Sequence, residues 1–134
     1  MLISTRGRYA LRFLVDLAEN QGDSDYITTN EIATRQEVSP KYAERLMALL
    51  SKNKFVMTKH GVRGGYRLNL SPEDCRVSDV LIAMDEELSP VACLSCEPNT
   101  CPRSGSCRTL PMWKKLGVMI QNFFDGITIA DLMK

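Results

Sequence analysis

The chain has 134 residues, of which 44% are apolar and 25% are charged, and its formal net charge is +1. This length and composition are typical of one globular domain, or of one domain with an appendage. Arginines interrupt the apolar residues near the start and no apolar run is long enough to cross a bilayer, so we expect neither a signal peptide nor a membrane partner. We expect a cytoplasmic protein, in which clustered cysteines are more often metal-binding or redox-active than disulfide-paired.

The charges are distributed unevenly along the chain. Residues 1–70 contain eleven Lys or Arg and seven Asp or Glu, whereas residues 71–134 contain six and nine. A basic first half is weak evidence for a polyanionic partner, because such an asymmetry also arises by chance.

Three helices are predicted in the first 53 residues. Apolar residues at helical spacing predict an amphipathic helix over 8–19. A second helix is expected to start at Thr28 or Thr29 and to run to about Gln36. A third has Ser39 as its N-cap and Pro40 at its first position, and continues to about residue 53. Two helices joined this tightly suggest a helix-turn-helix, although many helical hairpins of this kind bind nothing.

A β-hairpin is predicted directly after the third helix. FVMTK (55–59) and YRLNL (66–70) are typical of strands, and HGVRGG (60–65) of the turn between them. This order of elements is that of a winged helix. Its tip contains Lys59, His60, Arg63 and two glycines, which can lie close to a phosphate backbone. The alternative is a solvated hairpin with ordinary turn chemistry.

The second half of the chain predicts two further helices around a cysteine-rich loop. Ser71 and Pro72 are expected to begin a packed helix, with Cys75 near its start as a structural thiol. Within residues 109–134, apolar residues recur at three- and four-residue spacing over four helical turns. This is too much apolar surface for a lone terminal helix. This helix covers the core or pairs with a second copy, and we favour a homodimer because proteins that read DNA with a helix-turn-helix are usually dimeric. The apolar positions are Trp113, Leu116, Ile120, Phe123 and Phe124.

Four of the five cysteines lie in CLSCEPNTCPRSGSC, residues 93–107, with the spacing C-x2-C-x4-C-x5-C. Thiolates at this density can complete a tetrahedral zinc site. They can also hold an iron–sulfur cluster, or form a reversible disulfide beside the local arginines. The spacing alone leaves these three alternatives open.

Four segments together resemble a known family. STRGRYALR (4–12), VSPKYAERL (38–46), VRGGYRL (62–68) and the late cysteines before a Trp-bearing helix are similar to bacterial winged-helix repressors. That family includes the iron–sulfur cluster regulator, the nitric-oxide-sensing repressor and the cysteine-metabolism repressor. The resemblance implies a mainly α fold with a small β-hairpin wing and a long C-terminal dimerisation helix. It divides the chain into a winged helix-turn-helix DNA-binding domain (1–88), a cysteine-rich sensor loop (89–108) and a dimerisation helix with a tail (109–134).

The resemblance also implies which residues contact a double-stranded DNA operator. The second helix of the helix-turn-helix would enter the major groove and the wing would lie on the adjacent minor groove. The expected contacts from this second helix are Ser39, Lys41, Tyr42, Glu44 and Arg45. In the wing we place His60, Arg63, Gly64 and Gly65. Many members have an arginine where this chain has His60, so Arg63 is the alternative source of a minor-groove contact.

For the cysteines, the resemblance favours an iron–sulfur cluster. Cys93, Cys101 and Cys107 match the three cysteines of cluster-binding members. The positions from which other members take a fourth ligand are Leu110 and Arg8 here, and neither can bind iron. Cys96 is therefore the candidate for an all-cysteine [2Fe–2S] or [4Fe–4S] site, with zinc as the lesser alternative.

The predicted function is a transcriptional regulator, most simply a repressor, whose DNA affinity depends on the cluster and so on iron–sulfur, redox or nitric-oxide status. The alternative is a zinc-stabilised or thiol-redox winged-helix protein that regulates without a cluster or acts as a protein-interaction module. An enzyme is not expected, because the chain has a single histidine, no carboxylate pair with a nucleophile and no phosphate-cradling glycine motif.

Overall fold

The structure, a computed structural model, describes residues 1–23 and 25–134. Within these residues the fold is mainly helical with one two-stranded antiparallel sheet, as predicted. Single-turn 3-10 helices lie at Pro72–Asp74 and Ala92–Leu94. The strands are β1 (Val56–Lys59) and β2 (Gly65–Leu68). The helices are α1 (Thr5–Asn20), α2 (Thr29–Gln36), α3 (Pro40–Lys52), α4 (Val77–Ala83), α5 (Leu110–Asp125) and α6 (Ile129–Leu132).

Side-chain caps fix where the first three helices begin. The Thr28 hydroxyl accepts a hydrogen bond from the backbone N–H of Glu31, whose carboxylate in turn accepts one from the backbone N–H of Thr28. Ser39 caps α3 in the predicted way. Helix α1 begins earlier than its apolar pattern indicates, because Ser4 accepts a hydrogen bond from the backbone N–H of Gly7 and caps it there.

The turn between α2 and α3 is a left-handed cap formed by a residue other than glycine. Glu37 has φ 56° and ψ 45°, and the backbone N–H of Val38 donates to the carbonyl of Ala33 at 3.1 Å. This bonding satisfies the carbonyls at the end of α2 while the chain reverses into α3. The two helices therefore meet with the short connection that the sequence predicts.

The wing pairs β1 with β2 in one register, from Val56 opposite Leu68 to Lys59 opposite Gly65. A third segment adds to its edge: Ile27 and Tyr66 exchange two backbone hydrogen bonds of 2.8 Å. The wing is thereby attached to the chain that leads into α2. Its orientation relative to the helix-turn-helix is fixed by backbone contacts.

One hydrophobic core unites the N-terminal helices with the C-terminal end of the chain. Phe13, Leu14 and Leu17 of α1 are fully buried against α3 and α4. Ile129 of α6 is also fully buried, because α6 packs on α1. The last residues thus complete the core that the first residues begin.

The prediction that Ser71 and Pro72 start one helix containing Cys75 is wrong. Pro72 begins only a 3-10 turn, and the Ser71 hydroxyl donates to the Asp74 carboxylate at 2.8 Å. The chain is extended at Cys75, and α4 starts separately at Val77.

The C-terminal segment causes this break. Ile129 donates its backbone N–H to the Cys75 carbonyl at 2.8 Å, and Val77 donates to the Ile127 carbonyl at 2.9 Å. These bonds require extended backbone at residues 75 and 76. The Cys75 thiol is buried, and burial, followed by the nearby Asp79 charge, raises its pKa to about 11. It has the environment of the structural thiol that was predicted.

Among the described residues, no helix combines the length and apolarity needed to cross a membrane.

Candidate nucleic-acid interface and cysteine loop

Helix α3 presents its predicted DNA-contacting side chains on the surface. Lys41, Glu44 and Arg45 are exposed, and in the described part of the chain neither cation forms an ion pair. Ser39 is also exposed, and its hydroxyl accepts a hydrogen bond from the backbone N–H of Tyr42 at 3.1 Å. Two unpaired cations beside a capped helix start are suited to phosphate and base contacts in a major groove.

Tyr42 differs from these neighbours because its ring is half-buried and lies against α1. The ring meets Tyr9 edge to face, with centroids 5.9 Å apart. Its hydroxyl is shielded from solvent and has no hydrogen-bond partner in the described structure. Burial raises the pKa of the Tyr42 phenol, so the group stays neutral. The hydroxyl would meet an outside partner only after the ring turns outward.

At the wing tip, His60 and Arg63 are exposed, as a contact with DNA requires. The neighbouring glycines have a second role that the sequence did not reveal. A Cβ on Gly64 would lie 2.2 Å from the Lys59 carbonyl oxygen. A Cβ on Gly65, which has φ 146°, would lie 2.4 Å from the Ile27 carbonyl oxygen. Both positions need glycine for the chain's own packing, whatever the wing binds.

The wing strands carry a cation–aromatic cluster that the sequence analysis missed. Lys59 and Arg67 lie 5.6 and 5.8 Å from the centroid of the Tyr26 ring, within cation–π range. Tyr26 also donates its hydroxyl to the Met57 sulfur at 3.4 Å. A correctly predicted strand register would have placed Lys59 and Arg67 near each other. Tyr26 comes close to them only because the adjacent Ile27 pairs with the edge of the folded wing.

The cysteine loop (residues 89–108) lies between α4 and α5. Cys96 is exposed, while Cys93, Cys101 and Cys107 are half-buried, and none of the four forms a disulfide. Cys93 belongs to the 3-10 turn Ala92–Leu94, and the Ser89 hydroxyl donates to the Leu94 carbonyl at 3.1 Å. This end of the loop therefore has a defined local structure.

Cys107 lies just before the N-terminus of α5. Its sulfur is 3.4 Å from the Thr109 hydroxyl. That contact, followed by the backbone N–H groups of Thr109 and Leu110 and by the charge of Arg103, lowers the pKa of the Cys107 thiol. The thiolate is the form that binds a metal, so Cys107 is prepared for ligation.

Neither of the non-cysteine positions that the resemblance brought forward can supply a ligand. Leu110 is buried at the first position of α5, and Arg8 hydrogen-bonds the Thr5 hydroxyl at 3.2 Å. By donor chemistry, four accessible thiols fit an iron–sulfur cluster or zinc. The described residues do not gather three or more such donors at one point.

Helix α5 has two apolar faces, which the sequence treated as one. Trp113, Ile120 and Phe124 are half-buried on the side that faces α4 and the cysteine loop. The other side is exposed, with relative accessibilities of 53, 37, 67 and 63% in chain order. We call this side the α5 stripe; it consists of Met112, Leu116, Met119 and Phe123.

A helix-turn-helix followed by a two-stranded wing, with unpaired cations on the second helix, defines a winged-helix protein of the kind that regulates transcription. A family model described as "Rrf2: Iron-dependent Transcriptional regulator" matches residues 3–134, and the chain belongs to this Rrf2 family. It is a transcriptional regulator rather than an enzyme, as the sequence predicted.

Relatives and solved structures agree with this assignment. The chain is 36% identical to "Protein rrf2" of Nitratidesulfovibrio vulgaris, covering 100% of this chain and 88% of that protein. It is 33% identical to "HTH-type transcriptional regulator IscR" of Aliivibrio salmonicida, covering 99% of this chain and 77% of that protein. Among solved structures, B. subtilis CymR, titled as the global cysteine regulator, matches with a TM-score of 0.78 and 26% identity over 98% and 95% of the two chains. IscR of T. potens matches with a TM-score of 0.74 and 31% identity, over 98% of this chain and 85% of that chain.

Proposed function

We propose that this regulator is a homodimeric, DNA-binding repressor whose operator affinity depends on an iron–sulfur cluster held by Cys93, Cys96, Cys101 and Cys107. The observation that carries the proposal is the position of four unpaired thiols in one loop that ends on α5. The description of the matching family as iron-dependent supports it. We place the protein in the cytoplasm, with its operator.

The division of labour follows the chain. Residues 1–88 form the DNA-binding domain, residues 89–108 the sensor loop, and residues 109–134 the dimerisation helix and the tail that returns to the core. Helix α3 reads the major groove and the wing tip the minor groove, with Arg63 or His60 at the groove floor. The α5 stripe pairs with its copy, since four large apolar side chains on one helix face are stabilised by burial.

Cys93, Cys96, Cys101 and Cys107 would hold the cluster as thiolate ligands, and its loss to oxygen or nitric oxide, or its absence under iron shortage, would free the loop. The chain's own contribution is to supply the thiolates, and the Thr109 hydroxyl contact lowers the pKa of the Cys107 thiol. Because the loop connects α4 to α5, ordering it restricts how the DNA-binding domain sits on the dimer helix. A change in that restriction alters the spacing of the two α3 helices and hence DNA affinity.

The decisive experiment uses protein purified without oxygen. An absorption spectrum is recorded, and iron, sulfide and zinc are measured on the same sample. Visible absorption with iron and sulfide in equal amounts supports the proposal. A colourless protein with one zinc per chain would replace the cluster by a zinc site, and DNA binding would then be measured separately on the zinc protein.

Lys41 tests the phosphate contacts. Lys41→Ala should weaken binding to every DNA sequence, because a lysine on the groove-facing start of α3 releases a counterion when it meets a phosphate. The slope of log affinity against log salt should fall by about 1.8, because the proposed dimer loses one phosphate contact in each protomer. Lys52→Ala is the matched control, since Lys52 lies in the last turn of the same helix, roughly 16 Å further along its axis. An unchanged slope in Lys41→Ala would remove Lys41 from the phosphate contacts.

Tyr42→Phe should separate stability from binding. The hydroxyl has no partner in the free protein, so its removal should raise the free energy of unfolding by about 1 kcal/mol. Operator affinity should fall, because binding would turn the ring outward and the DNA would supply the missing partner. Urea denaturation and DNA titration measure the two effects, and Tyr9→Phe is the control. A variant that is stabilised but binds DNA as well as the wild type would show that Tyr42 does not contact the operator.

A further inference from the structure

Arg12 of α1 contacts two other parts of the helix-turn-helix at once. Its Nε donates to the Gln36 side-chain oxygen at 2.9 Å, and its Nη2 donates to the Gln36 carbonyl at 3.2 Å. The guanidinium also lies over the Tyr9 ring, 4.4 Å from the centroid. Two hydrogen bonds and a stacking contact fix the plane of this side chain, although it is on the surface.

The contact with Gln36 continues into an ion pair whose carboxylate is buried. Gln36 donates its amide to an Asp16 carboxylate oxygen at 2.8 Å. Asp16 is only 4% exposed and accepts two further short hydrogen bonds from Arg35, at 2.6 and 2.9 Å. The last turn of α2 is thus held on α1 by charge-assisted bonds that leave little freedom of rotation.

The contact with Tyr9 continues into α3. Tyr9 meets Tyr42 edge to face, and Tyr42 lies in the first turn of α3 among the proposed DNA contacts. Tyr9 also packs against the buried Phe13, with ring centroids 6.3 Å apart. Arg12 is therefore bonded to the end of α2 and is separated from the start of α3 by a single aromatic ring.

We propose that Arg12 is a positioning residue for helix α3. It holds the end of α2 and, through Tyr9, the first turn of α3, and so sets how deeply and at what angle α3 enters the major groove. The inference rests on the proposed function, in which α3 reads DNA. Base contacts depend on placement to a fraction of an ångström, whereas phosphate attraction does not.

The contacts distinguish this role from that of a phosphate ligand. Nε and one N–H of Nη2 are already used within the protein, and one face of the guanidinium is covered by Tyr9. The positive charge is also placed at the C-terminal end of α2, where a cation is favourable. The geometry of arginine matters here more than its charge, which lysine would keep.

The test compares Arg12→Lys with Arg12→Met. Wild-type protein is first used to select an operator from a random-sequence DNA duplex library, and a shuffled duplex of the same composition serves as the non-specific probe. Both variants should lose roughly tenfold in operator affinity, the size of one good base contact. Affinity for the shuffled duplex should change less than about twofold and the salt slope should stay the same, because no phosphate contact is lost.

Other outcomes overturn the proposal in distinguishable ways. If Arg12→Lys keeps wild-type affinity and Arg12→Met lowers the salt slope, Arg12 is a phosphate ligand. If thermal stability falls in both variants but folded protein binds the operator normally, the role is structural only. If the wild type selects no DNA sequence, the proposed function fails, and this inference fails with it.

Two further variants test the proposal without changing residue 12. Gln36→Ala removes the acceptor side chain from the half-buried end of α2 and should reproduce the loss of operator affinity at unchanged salt slope. Arg8→Lys changes a neighbouring arginine on the same helix that bonds only Thr5 in the described structure, and should behave as wild type. Normal operator binding by folded Gln36→Ala would overturn the proposal.

Discussion

Replacing Met119 and Phe123 together by glutamate is expected to turn the protein into a monomer and to lower its operator affinity by at least about 100-fold. Both side chains lie on the α5 stripe and are 67 and 63% exposed in the single chain. In the proposed dimer they would be buried, and an unpaired carboxylate cannot be buried there without a cost of several kcal/mol. A monomer keeps one α3 and one wing, so it loses the gain from binding two half-sites together.

Asn122→Glu is the matched control for this double substitution. Asn122 is exposed on α5 beside Phe123 but lies off the stripe, so a glutamate there, with one of the two added charges, should leave the dimer intact. Sedimentation velocity gives the mass, and DNA titration gives the affinity. If the double variant remains a dimer with unchanged affinity, the copies associate through another surface and the stripe has another use.

Replacing Cys101 or Cys107 by alanine is expected to abolish cluster binding completely. Each removes one of the loop's four thiolates, and no fifth cysteine lies in the loop to replace it. Iron and sulfide measured on oxygen-free protein should fall to background, together with the visible absorption. Operator affinity should change at the same time, because the loop would no longer be held to α5 in the same way.

The remaining cysteines make this experiment specific. Cys96→Ala should also empty the site if Cys96 is the fourth ligand, and should leave the cluster in place if it is not. Cys75→Ala is the control, since Cys75 is buried in the core and its thiol stays protonated. A full load of iron and sulfide in Cys101→Ala or Cys107→Ala would show that the ligand assignment is wrong.

The sequence predicted those features whose causes lie within a few residues of the chain. Thr28 and Glu31 cap α2, and Ser39 and Pro40 start α3, because a side chain and the backbone N–H three residues later are enough to form the cap. The wing followed from alternating residues and its glycine turn, and the spacing of the cysteines does not depend on the fold. These local patterns, with the resemblance they support, were sufficient for the family and for the class of function.

Contacts between distant residues decided the rest. Residues 75 and 76 are extended because the segment at residues 127–129 bonds to them, and no local pattern near Cys75 records a partner more than fifty positions away. In the same way Gly65 is required by the Ile27 backbone, and only the folded chain brings Arg12 to Gln36. The sequence by itself determined where α2 and α3 begin and which ligands the loop offers. Only the tertiary structure decided which face of α5 stays exposed and what holds α3 in place, because burial and long-range hydrogen bonds depend on the whole core.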